Sequence, residues 1–130
     1  MLLLSSMRSE ASAWIQQAKE DYETARFNQN GGKHKIAAFL CQQAAEKALK
    51  AYLIEKEGQL HKIHDLVALG KVSGISSPLI ERLSELTLAY VYTRYPDVRP
   101  EMDLKDKIPQ FLETAQEVLT WTEKQLSKKN

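Results

Sequence analysis

The stretch from Phe39 to Leu53, FLCQQAAEKALKAYL, constrains the chain more than any other, because as a helix it is polar on only one narrow side. At about 100° per residue, Gln42, Gln43, Glu46, Lys47 and Lys50 fall within an arc of about 140°, and alanines, Leu40, Cys41, Leu49, Tyr52 and Leu53 occupy the rest. A helix apolar over so much of its circumference belongs in the middle of a bundle. Alanines at 37, 38, 44, 45, 48 and 51 let its neighbours approach closely.

The remaining helices follow from three- and four-residue spacing of apolar side chains. The first is predicted from Ser9 to Asn28, carrying Ala11, Trp14, Ile15, Ala18, Tyr22 and Ala25, and Asn30-Gly31-Gly32 ends it. The second runs from Lys35 to Glu57, stopped by Gly58. A short helix from His64 to Lys71 presents Leu66, Val67 and Leu69, and Ser73 to Ser77 is a turn. Ser77 before Pro78 reads as an N-cap with proline at the first helical position, opening a helix with Leu79, Leu83, Leu86 and Tyr90 inward. Pro96 ends that helix by Arg94, so Tyr95 to Pro100 is expected to be extended and stiff. Asp103 or Asp106 caps the last helix; with Asp106 as cap, Pro109 takes the third helical position, whose N–H has no intrahelical partner. Its buried stripe is Ile108, Phe111, Leu112, Ala115, Val118, Leu119 and Leu126.

No period-two alternation competes with this pattern, so the expected fold is all-α: an up-and-down bundle of four long helices plus one short helix. The 130 residues suit one compact domain over residues 9–127, with residues 1–8 expected as a disordered N-terminal extension and Met7 as an alternative start. Eighteen Lys and Arg against seventeen Asp and Glu argue against broad, non-specific wrapping of nucleic acid, while leaving room for a small local site. The single Cys41 excludes an internal disulfide and a cysteine cluster, and its apolar position makes it a core residue. Met1 to Leu4 is too short an apolar run for a secretory signal, and nothing reaches the roughly 18 apolar residues of a membrane span. A cytoplasmic protein is expected, and a bundle this small with so apolar a helix is expected to pair as a homodimer.

Several polar groups are candidates for chemistry. Lys47 and Lys50, with Gln43, form a stripe that can meet phosphate; the plainer alternative is a solvated face in which Glu46 and Lys50 form an i,i+4 pair. His64 beside Asp65 can present an imidazole to a ligand; the plainer alternative has Asp65 capping the short helix with His64 packed beside it. His61 and His64 lack a third ligand at a matching spacing, so no metal site and no cofactor are expected. Arg94, Tyr95, Asp97 and Arg99 sit on a segment stiffened by two prolines, with Tyr90, Tyr92 and Tyr95 as faces on which a base can stack. The alternative there is an Arg94 to Asp97 corner that fixes the turn.

In chain order, Trp14 with Ala18-Lys19-Glu20-Asp21-Tyr22, the block from Phe39 to Leu53, His64-Asp65-Leu66 and Tyr92-Thr93-Arg94-Tyr95-Pro96-Asp97 together resemble the HEPN domain, the "higher eukaryotes and prokaryotes nucleotide-binding" family. The resemblance implies a helical bundle, frequent dimerisation, and either nucleotide binding or RNA cleavage. Many prokaryotic members pair with a minimal nucleotidyltransferase as toxin and antitoxin, and such a pair can act by nucleotide transfer onto a tyrosine, here Tyr92 or Tyr95. Ribonuclease members carry an Arg followed, after four to six residues, by a His at the dimer interface. This chain departs from that pattern: positions 99, 100 and 101 are Arg, Pro and Glu, and no histidine follows His64. Metal-independent RNA cleavage needs a general base near the 2′-hydroxyl as well as a cation. The expectation is therefore a nucleotide- or nucleic-acid-binding module without catalysis of its own, working with a minimal nucleotidyltransferase, with Lys47, Lys50, Arg94, Tyr95, Asp97 and Arg99 as ligand-binding candidates. The alternatives are a ribonuclease toxin with a non-standard site built from Arg94, Asp97 and His64, and a purely structural helical dimer.

Overall fold

A computed structural model of the chain describes residues 7–94 and 104–128, and for Tyr90 and residues 92–94 the backbone alone. Those residues form five helices: α1 (Ser9–Asn30), α2 (His34–Glu57), α3 (Leu66–Ser73), α4 (Ser77–Arg94) and α5 (Leu104–Ser127). The architecture is an all-α bundle, and α2 is its axis, packing against each of the other four helices.

That central position follows from the alanines. Ala37, Ala38, Ala44, Ala45, Ala48 and Ala51 are all fully buried, as are Cys41 and Leu49, and the apolar surface α2 leaves in water lies mainly near its start, at Ile36 and Phe39. Burial pushes the Cys41 thiol up to about 12, leaving it a small core hydrophobe without thiolate chemistry. The other helices contribute one stripe each: Ala11, Ile15, Ala18 and Ala25 from α1, Leu66 and Leu69 from α3, Leu79, Leu83, Leu86 and Ala89 from α4, and Ile108, Phe111, Ala115, Val118, Leu119 and Leu126 from α5. Trp14, Tyr22 and Leu112 pack at the margin of this core.

Helix ends differ from the sequence expectation where local chemistry allows two solutions. The third helix begins at Leu66 rather than His64, because Asp65 adopts an extended conformation and its side chain accepts from the N–H groups of Val67 and Ala68. Its end is a Schellman closure: Gly74, at φ 87°, donates to Lys71 and Ile75 donates to Gly70. Ser77 is the first residue of α4 rather than its cap, since the Ser76 carbonyl already accepts from Ile80. In α5, which starts at Leu104, Asp106 lies in the first turn instead of capping it, and Pro109 stands inside the helix beyond the first turn, where it donates no bond to the preceding turn. Asp103 and the Tyr95–Pro100 segment lie outside the described residues.

Helix α3 is clamped onto α4 at Gly70. A Cβ at this position would come within 2.6 Å of Ile80 Cδ1 and 2.9 Å of Leu83 Cδ1, so any larger residue requires those two side-chain ends to move. The His64-Asp65 segment ahead of α3 meets α2 through the His64 bond to Glu46.

Candidate functional site

The narrow polar side of α2 is not a solvated face. Gln42, Glu46 and Lys50, one helical turn apart, are 4%, 6% and 3% exposed. The expected Glu46–Lys50 pair forms, with Lys50 Nζ 3.0 Å from Glu46 Oε2, but it is enclosed by the fold. An ion pair in this setting is costly to break from one side, because the charge left behind has no solvent. Lys50 Nζ also lies 5.6 Å from the centre of the Trp14 ring, where an ammonium is attracted to the π face.

Glu46 is the hub of this arrangement. Its Oε1 accepts from Gln42 Nε2 at 3.2 Å, and its Oε2, besides meeting Lys50, lies 2.9 Å from His64 Nδ1. Gln43 Nε2 in turn donates to Gln42 Oε1 at 2.9 Å. The directions are forced: a carboxylate only accepts, so Gln42 presents its NH2 group to Glu46 and its carbonyl to Gln43. For the same reason His64 carries a proton on Nδ1, which in the neutral imidazole leaves Nε2 with a free lone pair. The His64 side chain is 80% exposed, so the imidazole is anchored at one nitrogen and open to solvent over most of its surface. It does not pack beside Asp65 as a core group; Asp65 is the cap and His64 the projecting residue.

Gln42, Gln43, Glu46, His64, Asp65 and Thr87 line a cleft of about 270 Å³ between α2, the turn before α3, and α4. Thr87 donates to the Leu83 carbonyl at 3.1 Å, so its oxygen faces outward as an acceptor. Among the described residues no lysine or arginine lines the cleft. Lys47, the other stripe cation, points to α1 and sits 2.7 Å from Asp21 Oδ2, while Gln17 donates to Asp21 Oδ1 at 2.9 Å. His61 bonds Glu57 at 2.6 Å, away from His64, and no group of three or more potential metal ligands occurs among the described residues. Arg94 ends α4, with its side chain outside the described residues, as are Tyr95, Asp97 and Arg99. Two contributions are absent from the sequence expectation: Glu46 as the anchor of an imidazole eighteen residues away, and Thr87 as the far wall. The spacing of Gln42, Glu46 and Lys50 in an otherwise apolar helix was the available signal for the first.

The sequence pattern of the HEPN domain matches residues 11–125, which takes in every residue of this cleft. The chain belongs to the HEPN family. Solved HEPN-like structures agree. A Thermus thermophilus protein superposes with a TM-score of 0.78 at 27% identity, covering 90% of this chain and 98% of its own. An archaeal HEPN homologue gives 0.73 at 30% identity, with 89% and 97% covered. A HEPN domain protein of Thermotoga maritima gives 0.71 at 24% identity over 90% and 99%, a likeness of fold. No curated protein matches the chain. Among the described residues, no helix of this HEPN domain is long and apolar enough to cross a membrane.

Proposed function

We propose that this HEPN domain is a nucleotide- or nucleic-acid-binding module that uses the cleft between α2, His64 and α4 and has no catalysis of its own. The observation that carries the reading is the Gln43–Gln42–Glu46–His64 chain, in which a buried carboxylate orients an exposed imidazole over a 270 Å³ cleft. Such a chain holds a reading group in one tautomer before the ligand arrives, which lowers the ordering cost of binding. The partner expected from the family resemblance is a minimal nucleotidyltransferase acting with this chain as a toxin–antitoxin pair. Exposed Phe27, Ile36 and Leu88 are apolar surface of the kind a second copy covers in a homodimer.

Thermal unfolding with AMP, ATP and GTP tests the reading. A bound nucleotide raises stability by about 2.7 kcal/mol at a hundredfold excess over its dissociation constant, and His64→Ala removes the increase. No shift with any nucleotide or short RNA refutes it. Light scattering at micromolar concentration tests the dimer, and co-purification with a co-expressed minimal nucleotidyltransferase tests the pair.

A second reading is favoured by the same imidazole: a ribonuclease in which His64 accepts the 2′-hydroxyl proton and Arg94 supplies the cation. Single-turnover incubation with labelled RNA decides, because cleavage abolished by both His64→Ala and Arg94→Ala supports this reading and absence of cleavage excludes it.

A further inference from the structure

The hydrogen-bonding inventory of the cleft specifies which end of a nucleotide it accepts. Thr87 has used its proton on the Leu83 carbonyl, His64 has used its Nδ1 proton on Glu46, and Asp65 is a carboxylate with Oδ1 engaged by two N–H groups of α3. Gln43 has given one amide proton to Gln42 and retains its carbonyl oxygen and the second proton. With the His64 imidazole neutral, the groups these lining residues leave unspent are an imidazole lone pair, a hydroxyl oxygen, a carboxylate and an amide carbonyl, against a single remaining amide donor. The described lining is rich in acceptors and poor in donors.

Charge points the same way. The stripe cations are consumed within the fold, Lys50 by Glu46 at 3.0 Å and Lys47 by Asp21 at 2.7 Å, and the lining includes two carboxylates with no lysine or arginine among the described residues. A phosphate group offers only acceptors and negative charge, so among the described lining residues it would meet one amide donor and no compensating cation. An exocyclic amino group of a nucleobase offers two N–H donors, carries no charge and fits a cavity of about 270 Å³.

We propose that the cleft binds the nucleobase and not the phosphate, with His64 Nε2 and Gln43 Oε1 accepting from an exocyclic amino group such as that of adenine. This rests on the nucleotide-binding reading and refines it. His64 is then a specificity residue whose tautomer Glu46 fixes. The phosphates point out of the cleft, and a ligand that lacks them still binds.

Calorimetry on the full chain with adenosine, AMP, inosine and ribose 5-phosphate tests the proposal. Adenosine and AMP are expected to bind within about threefold of each other, inosine, whose amino group is replaced by a carbonyl, about tenfold more weakly, and ribose 5-phosphate not measurably. In the same samples the ¹⁵N resonance of His64 Nε2 shifts on addition of adenosine while the bundle's amide spectrum is kept, a response a merely structural histidine would not give. His64→Ala and Gln43→Ala, both changes at partly or largely exposed side chains, reduce adenosine and inosine to equal affinity. If ribose 5-phosphate binds as AMP does while adenosine fails, the nucleobase assignment falls and nucleotide binding survives. Equal binding of adenosine and inosine by the unaltered protein, or displacement of adenosine by a simple diamine such as putrescine at lower concentration, also overturns the amino-group reading. If neither adenosine nor AMP binds, both proposals fail together.

Discussion

The two sides of the polar arc on α2 use the same residue types to opposite ends. Toward α1, Lys47 meets Asp21 at 2.7 Å and Gln17 completes the aspartate, so two helices are tied by a pair whose lysine is 23% exposed. Toward α3 and α4, Glu46 is bonded by Lys50 and Gln42 from its own helix and then by His64 from a turn. The first group is closed: its hydrogen-bonding capacity is spent on holding α1 to α2. The second is left open at His64 and Gln43, and that opening is the cleft. The contrast lies in whether a buried ion pair shares one of its partners with a side chain that reaches solvent, as Glu46 does with His64.

Substitutions test this contrast, the largest effect first. Glu46→Gln strands Lys50 as a buried, uncompensated charge and is expected to cost about 3–5 kcal/mol in urea unfolding. A cost under about 1 kcal/mol would mean that water reaches Lys50 and that the two sides are alike. Asp21→Asn is expected to cost about 1.5–3 kcal/mol, less than Glu46→Gln because Lys47 can turn to solvent. Asp65→Ala removes the cap of α3 and costs about 1 kcal/mol, and because the turn carrying His64 loosens with it, nucleotide affinity falls as well. His64→Ala changes stability least, by about 0.5 kcal/mol or less, since Glu46 keeps Lys50 and Gln42, yet it is expected to abolish the ligand-induced thermal shift. The separation of stability from binding between Glu46 and His64 is the sharpest check, read by running both variants with and without AMP.

Much of the architecture is legible in the order of residues. Alanine spacing places α2 at the centre, Gly58 marks a helix end, and the apolar stripe of α5 is buried as its periodicity predicts except at Leu112, which is partly buried. Glycine also reads less clearly elsewhere: nothing local shows that Ile80 and Leu83 close on Gly70. Boundaries shift by a residue or two where Ser76 and Ser77 compete as caps, and α5 starts at Leu104, ahead of Asp106. The site is half legible. The polar residues of the arc are visible from periodicity, but an angular position on a helix does not say what lies across from it. Lys50 therefore reads as a phosphate candidate in sequence and proves to be enclosed by Glu46 and Trp14.

Helical periodicity and alanine content suffice to specify an all-α bundle around α2, because i,i+3 and i,i+4 recurrence is a local property that small side chains convert into close packing. Which polar residues keep their water, and which imidazole meets which carboxylate, is set by contacts between distant segments. Glu46 and His64, eighteen residues apart, meet across two segments, and no periodicity within either one encodes that meeting.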